Sequence, residues 1–290
     1  MLRLTAPGVP DLTLDSAFGW KVRGLDLGDP ETRVVAEPAT DADGTIDTTE
    51  LIGARSVTVS LRLIPSDLTL PAMVNRLMQF MSPRLRPVVF ITEDGDEKRI
   101  TLRRGQVFAP ISTPTHRDVT LSFIAPFGIL ESAELHEASA FPSGEGAELG
   151  RDYDLTFDRT YPTSPVLGSR TVVNAGTIDA YPVLRIFGPV GAAPGADPQG
   201  PDTTTIRNLT TGKNLVFEDL VVAAGDYCEI DTRRKTIRIN GLPEQSRYDR
   251  LKFPDSRWWT LVPGENELRF SPETSSGVAE LRILWRSAWL

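Results

Sequence analysis

The sequence predicts a mainly β protein in two parts: an N-terminal α+β domain, built as a sheet or split barrel with one helix, and a C-terminal β-sandwich. Three observations carry this. Gly and Pro each occur 23 times in 290 residues, together about 16% against a usual sum of about 12%, so turns are frequent and strands short. A single stretch has helical periodicity. From residue 171 onward, seven short strand patterns alternate with turn signals, the signature of a sandwich. A single core stops growing at about 250–300 residues, so two domains are the default for this length.

Residues 1–36 carry short apolar alternations, including a strand over Trp20–Leu25 that ends near Gly24, and a turn at Asp29-Pro30. Pro38 to Glu50 reads as an acidic, Thr-rich loop. The clearest strand is Ser56–Leu63, where Val57, Val59, Leu61 and Leu63 share one face and Ser, Thr, Ser and Arg the other. The helix spans Leu70–Met81. Thr69 is its expected N-cap and Pro71 fits the first turn, where no amide hydrogen is needed. Leu70, Met73, Val74, Leu77, Met78 and Met81 form one stripe, read as the face that lies on a sheet. Ser82-Pro83 stops it.

Strands are expected next at Pro87–Thr92, Arg99–Leu102 and Asp118–Ala125. The first two are joined by a hairpin turn through Asp94-Gly95. In the third, Val119, Leu121 and Phe123 face one way, and Pro126-Phe127-Gly128 closes the unit. Residues 131–170, rich in Glu, Ser, Gly and Pro, are the expected linker or extended arm, with room for a strand at Tyr153–Phe157. The expected domains are therefore 1–130 and 171–290. The sandwich strands are Tyr181–Phe187, Thr204–Asn208, Asn214–Phe217, Asp226–Asp231, Thr236–Asn240, Asn266–Phe270 and Val278–Trp285. Gly191–Pro201 reads as a mobile loop.

The formal charge is −8, from 31 basic and 39 acidic residues. A domain that grips nucleic acid by its phosphates carries a basic excess instead. No apolar run approaches the roughly 20 residues of a membrane helix. Met1–Pro7 lacks the charged and apolar regions of a secretory signal, and the single cysteine, Cys228, can close no intrachain disulfide. The expectation is synthesis and folding in a reducing cytoplasm. Of the basic residues, 26 are Arg and 5 are Lys. Coding bias accounts for most of that skew, although Arg also suits protein interfaces.

Catalysis is thinly provided for. His116 and His136 fit no metal spacing, and no nucleophile elbow, phosphate loop or dinucleotide fingerprint occurs. No catalytic, cofactor-binding or metal-binding residue is expected. Residues 39–50 partly match a calcium loop, with Asp41, Asp43, Gly44, Thr45, Asp47 and Glu50 in place. Ala39 stands at the first ligand position, however, and the flanking helices are missing, so a solvated acidic turn is the better reading. Asn208-Leu209-Thr210 is a glycosylation sequon without a secretory signal. Trp258, Trp259, Trp285 and Trp289 invite a sugar-stacking reading, but aromatics near strand ends more often close a core.

Taken in order, the strand at Arg55–Leu63, the helix, the strand pairs and Leu121–Phe127 resemble the N-terminal part of siphophage distal tail proteins. Tyr181–Pro189, Ile206–Gly212, Glu229–Thr232, Leu261–Phe270 and Ile283–Leu290 resemble the galectin-like C-terminal sandwich of that family, in its short form. What the resemblance implies is a structural, non-enzymatic virion protein at the distal end of a long non-contractile tail. Its N-terminal domains would form a six-membered ring. The ring would join the major tail tube protein to the hub protein and other tail-tip proteins, leaving a channel through which DNA passes without specific binding. An acidic lining of that channel is expected, since it repels passing DNA. The galectin sugar cluster of His, Asn and Arg is absent, so the sandwich is read as a docking module. The alternatives are a carbohydrate-binding tail adhesin acting through the sandwich and, more remotely, an acid-pair glycan hydrolase.

Overall fold

The computed structural model describes residues 1–38, 45–93, 95–109, 113, 115–142, 169–191, 202–275 and 279–290. The strands are β1 Leu2–Ala6, β2 Val9–Leu14, β3 Trp20–Asp26, β4 Thr32–Pro38, β5 Thr45–Ile52, β6 Arg55–Leu63, β7 Val88–Glu93, β8 Asp96–Thr101, β9 Arg103–Phe108, β10 Arg117–Ala125, β11 Leu130–Ser132, β12 His136–Ala140, β13 Ser169–Asn174, β14 Val183–Phe187, β15 Thr203–Asn208, β16 Lys213–Glu218, β17 Tyr227–Asp231, β18 Thr236–Ile239, β19 Gly264–Pro272, β20 Glu280–Trp285 and β21 Ala288–Trp289. One helix, α1, covers Leu70–Phe80. The chain is mainly β, as its turn content predicts. It divides into two compact units, Met1–Glu134 with Trp289–Leu290, and Leu135–Ala288.

In the first unit, one sheet has the order β2-β1-β7-β8-β11-β21 and another the order β3-β6-β10-β9. Leu2 and Leu4, Val57 to Leu63, Val89, Ile100 and Val119 to Phe123 share one core with α1. The alternation in β6 is complete: Val57, Val59, Leu61 and Leu63 are each at most 1% exposed, while β6 pairs with β10 without a break from Arg55↔Ala125 to Leu63↔Arg117. Such uninterrupted register follows from one buried face, because a one-residue slip would turn every apolar side chain to water.

Helix α1 starts where expected, but Thr69 caps it by conformation alone: its side chain makes no cap hydrogen bond. The buried stripe is Met73, Leu77, Phe80 and Met81. Leu70 and Val74 are half-buried, and Met78 lies exposed at its margin. Phe80 was not in the predicted stripe because Met81 beside it satisfies the same spacing. The stretch from Pro38 to Glu50 is not simply a loop. Strand β5 begins at Thr45 and pairs with β4, from Thr32↔Ile52 to Pro38↔Thr45. Strand β9, also unpredicted, pairs with β10 through a register shift between Leu121 and Phe123. A Cβ on Gly105 would stand 2.3 Å from the Ser122 carbonyl oxygen, so only glycine lets the two strands close there.

In the second unit, the sheets β12-β20-β14-β17-β18 and β13-β19-β15-β16 enclose a core. The core draws Leu184, Ile186, Ile230, Leu281 and Ile283 from the first sheet and Val172, Ile206, Phe217, Leu268 and Phe270 from the second. All seven expected sandwich strands are present, each within about three residues of its predicted ends. Strands β12 and β13 join them at the sheet edges. Within 131–170, therefore, β11 completes a sheet of the first unit and β12 a sheet of the second. The proposed strand at 153–157 lies outside the described residues, as do 192–201 of the expected mobile loop and 39–44 of the calcium-like loop. The last residues return to the first unit, where Trp289 packs on the core and Lys98 Nζ sits 4.8 Å from its ring centroid.

Candidate assembly surfaces

The side chains able to do chemistry are engaged structurally. Among the described residues, no group of three or more His, Cys, Asp or Glu could hold a metal ion. His116 Nδ1 lies 3.0 Å from Thr113 Oγ1, and the His136 ring packs on Trp285 at 5.4 Å. Cys228 is fully buried, and burial pushes its thiol up to about 12, far from the thiolate a nucleophile needs. Asn208 of the sequon is buried as well. It donates to the Thr260 carbonyl at 3.2 Å and accepts from the Thr211 N–H at 3.1 Å. Trp259 is 2% exposed, and Trp258 packs against the same core. Trp285 donates to the Val173 carbonyl at 2.9 Å. The tryptophans at 258, 259 and 285 thus help to build the sandwich.

What the first unit does offer is strand edges. In the β3-β6-β10-β9 sheet, β3 and β9 each lack a partner on one side among the described residues. Such edges template pairing with another chain unless they are blunted. On β3, Lys21, Arg23 and Gly24 are exposed, and the register shifts between Val22 and Gly24. Beside it opens a cleft of about 850 Å³ lined by Leu2, Leu14, Trp20, Val22, Leu25, Leu27 and Ile91, with Asp15 and Lys21 at its rim. At the opposite edge, β9 ends in Phe108, the most exposed aromatic of the described residues at 66%. A half-open apolar cleft at one edge and an exposed aromatic at the other are features that a neighbouring molecule would cover.

The middle of the solvent face of the two central strands is made of small hydroxyls. Ser60 stands opposite Thr120, and Thr58 opposite Ser122. At one end Arg62 Nε donates to Asp118 Oδ1 at 2.7 Å and Arg62 Nη2 to Asp118 Oδ2 at 2.9 Å, a two-pronged pair. The hydrogen bond from Arg62 holds the Asp118 carboxyl below the usual range, and the same bond raises Arg62. On these two strands the charges of that face are the Arg62–Asp118 pair, and Ile124, 45% exposed, stands opposite Ser56 at the other end.

Comparison with known proteins places this architecture. Residues 196–289 match the family model described as siphovirus-type tail component, C-terminal domain. The crystal structure of the phage SPP1 Dit (gp 19.1) protein, described as a paradigm of the hub adsorption apparatus in phages infecting Gram-positive bacteria, matches over 100% of both chains. Its TM-score is 0.61 and its sequence identity 14%. The activated, calcium-bound baseplate of phage P2 is a weaker match, with 11% identity, 98% of both chains covered and a TM-score of 0.46. No curated protein matches the chain. The resemblance to siphophage distal tail proteins read from the sequence is thus met twice, by the family model over residues 196–289 and by the full-length fold of SPP1 Dit.

Proposed function

We propose that this chain is a structural component of a phage tail that closes into a six-membered ring at the tail's distal end. There it would join the tail tube to the tail-tip hub and leave a channel for DNA. The family match of residues 196–289 carries the reading, and the full-length likeness to the fold of a hub protein supports it. The two open edges supply a means. A ring of identical copies needs a head-to-tail contact that closes on itself. In the order β3-β6-β10-β9 every neighbouring pair is antiparallel, so β9 of one copy can meet β3 of the next with the alternation unbroken. Four strands from each of six copies would then give one continuous 24-stranded wall. Phe108 at the end of β9 is the natural occupant of apolar space beside the next copy's β3.

In this reading the first unit makes the ring and the sandwich docks neighbouring tail proteins. The channel works by offering passing DNA few groups to hold. Six copies carry a formal charge of −48, six times −8. If this sheet face lines the bore, the hydroxyls of β6 and β10 and the Arg62–Asp118 pair hold the phosphates weakly, and exposed Lys21, opposite Arg62 on β3, is a cation beside them. No bond is made or broken. Light scattering on the purified protein, alone and mixed with the tail tube protein, tests the ring. About 191 kDa, six times 31.9 kDa, is expected; a monomer under both conditions would contradict the reading.

A further inference from the structure

The solvent face of the β13-β19-β15-β16 sheet carries two arginines, with a third beside its edge, that no acid pairs with among the described residues. Arg269 on β19 stands directly opposite Arg207 on β15. Arg207 is in turn opposite Asn214 on β16, whose carbonyl accepts from the backbone N–H of Arg257 at 2.8 Å. All three arginines are exposed, and among the described residues their side chains have no ion-pair, hydrogen-bond or ring partner. The other sheet of the same unit is built differently. There Arg185 pairs with Glu229, and Arg282 with Glu137 and Glu280. Like charges directly opposite on neighbouring strands repel. Arg207 and Arg269 sit about one strand spacing apart, about 5 Å, so they oppose the sheet that holds them until an anion lies between them.

We propose that this row docks a carboxylate-bearing segment of a partner protein. The guanidinium fork matches a carboxylate in two-pronged geometry. From Arg269 to Arg257 the row crosses roughly three strand spacings, about 15 Å, and carboxylates on one face of an extended segment recur about every 6.7 Å. Two or three acidic side chains therefore fit the row. Glu265 and Glu267 alternate onto the same exposed face of β19, so the anion that fits crosses the strands along the row and does not run along β19. The site stands whether or not the chain closes into a ring, since it lies wholly within the second unit.

The test uses the full chain and a fluorescent peptide of alternating Glu and Thr, with binding followed by anisotropy. The wild type binds, and the affinity falls with added salt. The double variant Arg207→Gln, Arg269→Gln binds about tenfold or more weakly, whereas Arg170→Gln, exposed outside the row, stays within about twofold of wild type. Arg207→Gln alone raises the thermal unfolding midpoint, because it relieves the repulsion. No binding of the peptide by the wild type would overturn the proposal. So would equal binding by the double variant, a lower midpoint for Arg207→Gln, or a single-stranded oligonucleotide that binds the row as tightly as the peptide does.

Discussion

Replacing Asn174 by Ala removes a side chain that ties four backbone groups of the second unit together. Its amide nitrogen donates to the carbonyls of Ile178 at 2.8 Å and Leu261 at 3.0 Å, and its oxygen accepts from the N–H groups of Gly176 at 3.0 Å and Ala288 at 3.3 Å. Asn174 itself is fully buried. Gly176 and Ile178 keep some exposure, so water can replace the lost partner there. Leu261 and Ala288 are enclosed. The Leu261 carbonyl keeps the Ala180 N–H at 2.9 Å, so one buried group, the Ala288 N–H, is left without a partner, at a loss of about 2 kcal/mol. Asn174→Asp should do no better above the carboxyl titration range, since it keeps the acceptor but sets a charge against two carbonyls. Native-state hydrogen exchange of β13 and β19 in increasing denaturant reads the loss in this unit. A loss below about 1 kcal/mol for Asn174→Ala would refute the reasoning, by showing that the side chain merely fills space.

Gly105→Val drives a side chain into the Ser122 carbonyl and should detach β9 from β10. Assembly, measured by light scattering, is then lost, while the first unit keeps its fold by circular dichroism; an intact ring would show that the β9 edge is not a contact. Glu280 is partly buried, which by itself would raise its carboxyl, but the Ser139 hydroxyl and Arg282 outweigh burial and hold it below the usual carboxylate range. A depressed carboxyl stabilises the fold above its unfolded pKa and loses that contribution as pH falls through the folded one. Acid titration of stability should therefore be shallower in Glu280→Gln, and identical slopes would contradict it. Cys228 should resist a thiol reagent in the folded protein at mildly alkaline pH and react fully on denaturation, since burial keeps it protonated to about 12. Prompt reaction while folded would contradict the buried placement.

Legibility in the sequence followed the strength of local physics. Strand β6 and the sandwich strands were readable because one buried face imposes strict alternation, and α1 because its stripe spans three turns. The edge strand β9 was not readable. Arg103, Gly105 and Gln106 bury little, and the strand exists only because β10 offers it a partner, a non-local fact with no periodic trace. Strand β5 was hidden by Thr and Asp residues that also suit a turn. Asn174 and Asn266 illustrate another limit. Asn266 accepts from the Val262 N–H and donates to the Val262 and Gly264 carbonyls, yet a buried asparagine looks like a loop residue until the strands around it are placed. The arginine row required register as well, since Arg207 and Arg269 are 62 positions apart in the chain and become neighbours only across β15 and β19.

The central claim, that copies of this chain interlock edge to edge, is tested most directly by electron microscopy of intact tails at a resolution that traces strands. Six copies around the tail axis, with β9 of each beside β3 of the next and the sandwiches outside, is the predicted result. Copies in another number, or a ring whose neighbours leave β3 and β9 unpaired, would contradict it.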